Sequence, residues 1–190
     1  MRTPKKNISP VKNGRSDLWL CLSLGLFILI VYSNSFSAGL VFDSSTLIRD
    51  DPRLRAITST NLERILTENY WWPSQESLVY RPVTTLSYLL NYTVLGNGEK
   101  VAGYHVVNFL LHWLNAWLVF LIVRRIGGRL DIAALAACIF AVHPVNTEVV
   151  TNVVGRADLL ATLSVLLGGW AYHREHHGRT FSVLAVDWRL

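Results

Sequence analysis

The run His143–Asp158, HPVNTEVVTNVVGRAD, sets His143, Glu148, Arg156 and Asp158 between two hydrophobic segments. Ionisable groups at membrane depth are expensive to hold there, and they mark functional positions. Two shorter motifs join them: FDSS at Phe42–Ser45 carries Asp43, and YRP at Tyr80–Pro82 carries Arg81. Asp43 lies a few residues beyond the first apolar segment. A carboxylate there has three uses. It can take a proton from an acceptor hydroxyl as general base, bind a divalent cation through oxygen, or cap a short helix starting at Ser44. Arg81 and Arg156 suit phosphate, because the guanidinium fork matches phosphate oxygens and gains strength near a low-dielectric boundary. For Arg156 the alternative is a structural pair with Glu148 or Asp158. His143-Pro144 reads first as a helix end and second as a catalytic histidine. Asp50 and Asp51 precede Pro52 and read as a turn.

The elements that must hold these residues are apolar helices. The chain has 190 residues, 51% hydrophobic and only 16% charged, against about a quarter charged in a soluble domain. Its hydrophobic residues fall in long blocks, so the expected class is an all-α, polytopic membrane protein. The expected order is a basic tail at 1–17, a first span at 18–36, an outer loop at 37–102, a second span at 103–123 and a third at 130–145. A second outer loop at 146–158, a fourth span at 159–172 and an end segment at 173–190 follow. An uncleaved first span is preferred to a signal peptide, since more spans follow. The third span is short for a hydrocarbon core of about 30 Å at about 1.5 Å per residue, and Arg129 can snorkel to lengthen it.

The net charge of +5 is a topology signal. Arg2, Lys5, Lys6, Lys12 and Arg15 precede the first span, and Arg124, Arg125 and Arg129 follow the second. The large loop holds six basic and seven acidic side chains. Basic segments stay cytoplasmic, which places the N-terminus there and the two acidic motifs outside. A nucleic-acid partner is a poor reading, because no basic face is interleaved with exposed aromatics. Cys21 and Cys138 both sit in apolar segments and read as small buried hydrophobes.

Within the large loop, Asn61–Tyr70 and Pro82–Leu95 read as amphipathic helices lying on the membrane surface. Tyr70, Trp71 and Trp72 read as an interfacial aromatic cluster, with a sugar-stacking platform as the alternative. In the second span His105, Asn108, His112 and Asn115 are spaced 3, 4 and 3 and share one face. That face either lines a wet interior or makes helix–helix hydrogen bonds. If 146–158 is helical, Glu148, Asn152 and Arg156 line one face at i, i+4 and i+8. Asn91-Tyr92-Thr93 is a formal glycosylation sequon.

In order, FDSSTLIRDDPRL, YWWP, YRPVTTLSYLLNY, GYHVVNFLLHWLNAWLVF and HPVNTEVVTNVVGRADLL resemble the N-terminal membrane region of one family. It is the transmembrane, tetratricopeptide-repeat-containing O-mannosyltransferase family with its bacterial relatives. The resemblance covers roughly residues 20–172. It implies a GT-C-type fold of many spans, with a large first outer loop carrying surface helices. It implies a polyprenyl- or dolichyl-phosphate sugar donor, an inverting transfer to a protein or glycan hydroxyl, and a C-terminal repeat domain. By position, Asp43 matches the first aspartate of the family's FDD-like motif, and Arg81 the YRP arginine. His143, Glu148, Arg156 and Asp158 match the motif of the second outer loop. The family usually has a second acid where this chain has Ser44.

The resulting expectation is a membrane glycosyltransferase, or an N-terminal fragment of one, in the bacterial inner membrane or the ER membrane. Asp43 is its catalytic residue, and Arg81 and Arg156 hold the donor phosphate. Glu148, Asp158 and His143 position the acceptor or a divalent cation. A fragment of this length is expected to be inactive by itself. The alternatives are a non-catalytic scaffold or lipid-phosphate-binding subunit, and a transporter; the small number of spans without inverted repeats argues against the last.

Overall fold

The computed structural model describes residues 14–40, 43–74, 77–127 and 129–175. Most of the basic tail, Phe42 and the segment 176–190 lie outside the described residues. Among the described residues eight α-helices follow in order: α1 Gly14–Val31, α2 Asp43–Ile48, α3 Ser59–Thr67, α4 Pro82–Leu89, α5 Val101–Gly127, α6 Leu130–Val142, α7 Val145–Thr151 and α8 Arg156–Glu175. No strand occurs among the described residues. The fold is all-α.

Among the described residues two helical stretches are long and apolar enough to cross a membrane, Val101–Gly127 and Val153–Arg174. A third crossing is reached if α6 and α7, bent by 64° at their junction, count as one. The apolar part of α1, Ser16–Val31, is shorter, below the roughly 20 residues a span needs.

Around α5 the pattern of a soluble helix is inverted. Its buried face carries His105, Asn108, His112 and Asn115, while Val106, Leu110 and Leu114 point outward. That suits a helix whose surroundings are as apolar as its own side chains. On α6 the buried positions are Ala133, Ala137 and Ala141, one turn apart, and Ile132, Leu135 and Ile139 face out. Small residues let two helix backbones approach closely, and α6 makes its main packing against α5.

The bend after α6 has a local cause. Pro144 has no N–H to donate back four residues, so the last carbonyls of α6 need other partners. Asn146 Nδ2 donates to the Phe140 carbonyl at 2.6 Å. The Ala141 carbonyl accepts from the Tyr32 hydroxyl at 3.1 Å and bonds His112 Nε2 at 2.9 Å. The polar stripe of α5 is therefore largely a set of helix–helix hydrogen bonds. Asn115 Nδ2 donates to the Leu159 carbonyl at 3.0 Å, and Asn108 Nδ2 to that of Asn152 at 3.0 Å.

Two apolar cores result. The first joins Leu24, Ile28 and Tyr32 of the α1 segment to Ala116 and Phe120 of α5, the α6 alanines, Val150 and Leu159. The second lies in the large loop and gathers Leu47, Ile48, Leu54, Ile65, Tyr70, Tyr88, Leu89, Tyr104 and Val153. The helices expected at 61–70 and 82–95 form as α3 and α4, but with a protein partner on their apolar face. Ile65 of α3 and Tyr88 and Leu89 of α4 go into this loop core. After Leu89 the chain widens into a π-turn at Leu90–Val94. There Asn91, the sequon asparagine, is buried.

Two arginines at the end of α5 tie one end of the bundle together. Arg124 at the end of α5 pairs with Asp17 at the start of α1. Arg125 Nε donates to the His173 carbonyl near the end of α8 at 3.2 Å. The opposite end carries the large loop, α7 and the start of α8.

Candidate functional site

The motif residues surround a turn, not a continuous helix. α7 stops at Thr151, a 3-10 turn spans Val153–Gly155, and α8 starts at Arg156. The expected line of Glu148, Asn152 and Arg156 along one helix face is thus broken. Asn152 makes the break: its Oδ1 accepts from the Val154 N–H at 3.2 Å, capping the turn. Gly155 is obligatory for a steric reason, since a Cβ there would lie 2.2 Å from the Val149 carbonyl oxygen.

Arg156 is fully buried, at 0% exposure. Its Nε donates to Asn108 Oδ1 at 2.9 Å, and Nη2 to the Tyr104 carbonyl at 2.9 Å. Nη1 reaches the Ser87 carbonyl at 3.4 Å. The guanidinium lies over the rings of Tyr88, at 4.8 Å, and Tyr104, at 5.5 Å. It forms no ion pair with Glu148 or Asp158. A buried cation held by neutral oxygens and aromatic faces joins α8, α5 and α4 at one point.

Arg81 is placed differently. It is exposed and stands at the N-cap of α4. Its guanidinium lies 5.3 Å from the Tyr70 ring centre. No carboxylate is within ion-pair distance among the described residues. Arg81 borders a groove of about 390 Å³ with Tyr80, Val83, Thr84, Asp158, Leu160 and Ser164. The groove is bounded by the first turns of α4 and α8, whose N-terminal ends carry partial positive charge. Arg81 and Asp158 face the same space.

Asp43 is the first residue of α2 and is exposed. Its neighbour Ser44 is buried and donates to Asn152 Oδ1 at 2.8 Å. Ser44 and Glu148 line a second groove of about 430 Å³ with Asn34, Thr147, Thr151 and Asn152. His143 is exposed beside a third hollow, of about 490 Å³, with Ile139 and Asn146. Its Nδ1 accepts from the Val145 N–H at 3.3 Å. The structure thus brings Arg81 to Asp158 and sets Glu148 beside Ser44. It keeps the two groupings in separate grooves that share the Asn152–Asp158 segment as a border, and leaves His143 apart from both. Among the described residues no cluster of three or more His, Cys, Asp or Glu side chains is placed to hold a metal.

Two features were not anticipated. Asp51 and Arg53 form a buried ion pair, 2% and 1% exposed, with Nη2 to Oδ2 at 2.8 Å. Asp51 also caps the 3-10 turn at Pro52–Leu54 through the Arg53 N–H, so the expected turn is present and has a charged lock. Arg53 donates further to the Asn69 and Tyr70 carbonyls, and both Arg53 and Arg64 stack on Trp72. Second, Tyr70 and Tyr88 are buried side by side, with hydroxyl oxygens 3.4 Å apart. Burial raises the phenol of Tyr70 above its ordinary value and that of Tyr88 well above it, so both stay neutral. Tyr70, expected in an interfacial aromatic cluster with Trp71 and Trp72, is instead 1% exposed and turned into the loop core.

No protein-family model and no solved structure matches the chain. Curated relatives do. The chain is 35% identical over 162 residues to Protein O-mannosyl-transferase Tmtc1 of Drosophila melanogaster, covering 83% of this chain and 18% of that protein. It is 36% identical over 191 residues to Protein O-mannosyl-transferase TMTC4 of Homo sapiens, covering 87% and 25%. To Protein O-mannosyl-transferase Tmtc3 of Drosophila melanogaster it is 33% identical over 191 residues, covering 88% and 20%. The chain spans about a fifth to a quarter of the length of these relatives. Over that stretch it belongs to the TMTC family of protein O-mannosyl-transferases.

Proposed function

We propose that this chain is the N-terminal membrane region of a GT-C-type glycosyltransferase that moves a sugar from a polyprenyl- or dolichyl-phosphate donor to a protein hydroxyl. The sugar is mannose, by the names of the relatives. The observation that carries this reading is Arg81: an exposed guanidinium without a carboxylate partner among the described residues, facing a groove where two helices begin. That is a setting for a phosphate.

In this reading Arg81 holds the donor phosphate at the outer end of α8, and Asp158 across the groove orients the sugar. Asp43 accepts the proton of the acceptor hydroxyl. The freed oxygen attacks the anomeric carbon from the face opposite the phosphate. The bond from that carbon to the phosphate oxygen breaks, and its electrons leave with the phosphate. Arg81 stabilises the charge that develops there. The acceptor enters by the groove of Ser44 and Glu148, and the reacting groups meet over the Asn152–Asp158 segment. Arg156 acts from behind, holding the start of α8 to α5 and α4. In this reading four segments cross an ER or bacterial inner membrane, the bundle end of Arg124 and Arg125 is cytoplasmic, and both grooves open on the outer side. Further spans and a repeat domain complete the enzyme.

The test is transfer from a labelled polyprenyl-phosphate sugar by the full-length protein. Asp43→Asn lowers kcat on the order of a hundredfold or more, and Arg81→Ala raises the KM for donor. Undiminished transfer by Asp43→Asn sinks the base assignment. The Ser44–Asn152 hydrogen bond, where the family usually has a second acid, supports a second reading as a lipid-phosphate-binding subunit. Donor binding without turnover selects it.

A further inference from the structure

Arg81 lacks the usual partner of an arginine. Its guanidinium carbon sits 5.3 Å from the centre of the Tyr70 ring, and that ring is itself buried at 1% exposure. The Tyr88 hydroxyl donates to the Val153 carbonyl at 3.0 Å. A phenol has one proton, so the contact between the two hydroxyls is made by the Tyr70 proton on the Tyr88 oxygen. Behind Tyr88 stands Arg156, 4.8 Å from that ring. An exposed arginine and a buried one therefore bracket a pair of tyrosines, and the pair is tied to the 3-10 turn that begins α8.

The choice of partner has a chemical meaning. A carboxylate would fix Arg81 but would also occupy its N–H fork and compete with an incoming phosphate. An aromatic face attracts the cation through its quadrupole and accepts none of those N–H groups in the ring plane. A neutral partner orients the guanidinium, by its ring and by the hydroxyl that Arg81 also meets, and leaves the positive charge uncompensated for a ligand.

We propose that Tyr70 is a positioning residue of the donor site, holding the Arg81 guanidinium toward the groove through its π-face, with Tyr88 and Arg156 fixing Tyr70 from behind. This rests on the reading of Arg81 as the phosphate ligand. Tyr70 touches neither phosphate nor sugar; it acts through Arg81.

The experiment titrates the intact protein in detergent with a short-chain polyprenyl phosphate. Arg81→Ala tests the underlying reading, and unchanged affinity there removes the phosphate site itself. For Tyr70 the probe is a series that keeps shape and drains the ring: phenylalanine at position 70, then its mono-, di- and trifluorinated analogues. Affinity is expected to fall stepwise, on the order of tenfold across the series, and to be flat when Arg81 is alanine. A series that is flat with Arg81 present, while Arg81→Ala still weakens binding, overturns the role of Tyr70 and leaves the phosphate site standing. Tyr70→Leu, if it folds, weakens binding at least as much as the most fluorinated analogue; affinity equal to that of Tyr70→Phe overturns the inference in the same way.

Discussion

Arg156 Nε donates to Asn108 Oδ1 at 2.9 Å, and Asn108 Nδ2 in turn donates to the Asn152 carbonyl at 3.0 Å. One amide on α5 therefore holds both ends of the turn that separates α7 from α8. Removing either partner strands a buried polar group. Asn108→Leu is expected to destabilise the bundle by about 3 kcal/mol, because it leaves a buried guanidinium short of an acceptor. Arg156→Lys keeps the charge but loses the fork, and is expected to lose nearly as much. Thermal unfolding in detergent reads both. The two changes combined are expected to be clearly less than additive; simple additivity would contradict the shared network.

Asp51 and Arg53 form the second prediction. Both are buried, and Arg53 also ties down the Asn69 and Tyr70 carbonyls. Asp51→Ala leaves an uncompensated charge in the loop core and is expected to cost about 3–5 kcal/mol. Replacing both with apolar residues is expected to be milder than the single change. Limited proteolysis of the large loop, compared across the variants, checks the order.

The third concerns Gly155. A methyl group there meets the Val149 carbonyl oxygen at 2.2 Å and backbone carbons at under 3 Å, so the backbone itself must move. Gly155→Ala is expected to destabilise by about 2 kcal/mol or more and to raise donor KM through displacement of Asp158. Gly168→Ala, where nothing lies within 4 Å, is the control and is expected to change stability little or to raise it. Equal behaviour of the two variants would refute the close-approach account.

Alkaline titration supplies the fourth. Burial raises the phenols of Tyr70 and Tyr88 above the ordinary 10.0. Below that pH folded and unfolded chains are equally protonated at these groups, and stability is flat. Above it the unfolded chain loses protons that the folded chain keeps, so stability falls as pH rises. The slope is up to about 1.4 kcal/mol per pH unit for each phenol. Denaturant midpoints above and below pH 10 measure it. The doubly substituted Tyr70→Phe, Tyr88→Phe protein is expected to show a shallower fall, and an unchanged slope counts against the two tyrosines.

Much of the membrane half was legible in the sequence because its information is local. The 3, 4, 3 spacing of His105, Asn108, His112 and Asn115 announces one face, and the structure buries all four. Pro144 announces the end of α6, and the helix stops at Val142. The large loop was legible only in part. Helices at α3 and α4 followed from periodicity, but periodicity reports an apolar face and not its partner. The partner of Tyr88 is Val153, 65 residues away, and no local pattern encodes that. The same holds for Arg156, whose position in the sequence signals a charge near apolar segments. Its acceptors, Asn108 and the Tyr104 carbonyl, belong to a helix 48 to 52 residues earlier.

The Ala141 carbonyl, freed by the bend at Pro144, is bonded by Tyr32 from the first helix and His112 from the fifth. Three legs of the bundle are thereby pinned at a single oxygen, like a tripod at its apex. One leg cannot slide past another there without breaking a hydrogen bond to that oxygen, and the Asp17–Arg124 ion pair ties the first and fifth helices together at the far end of the bundle.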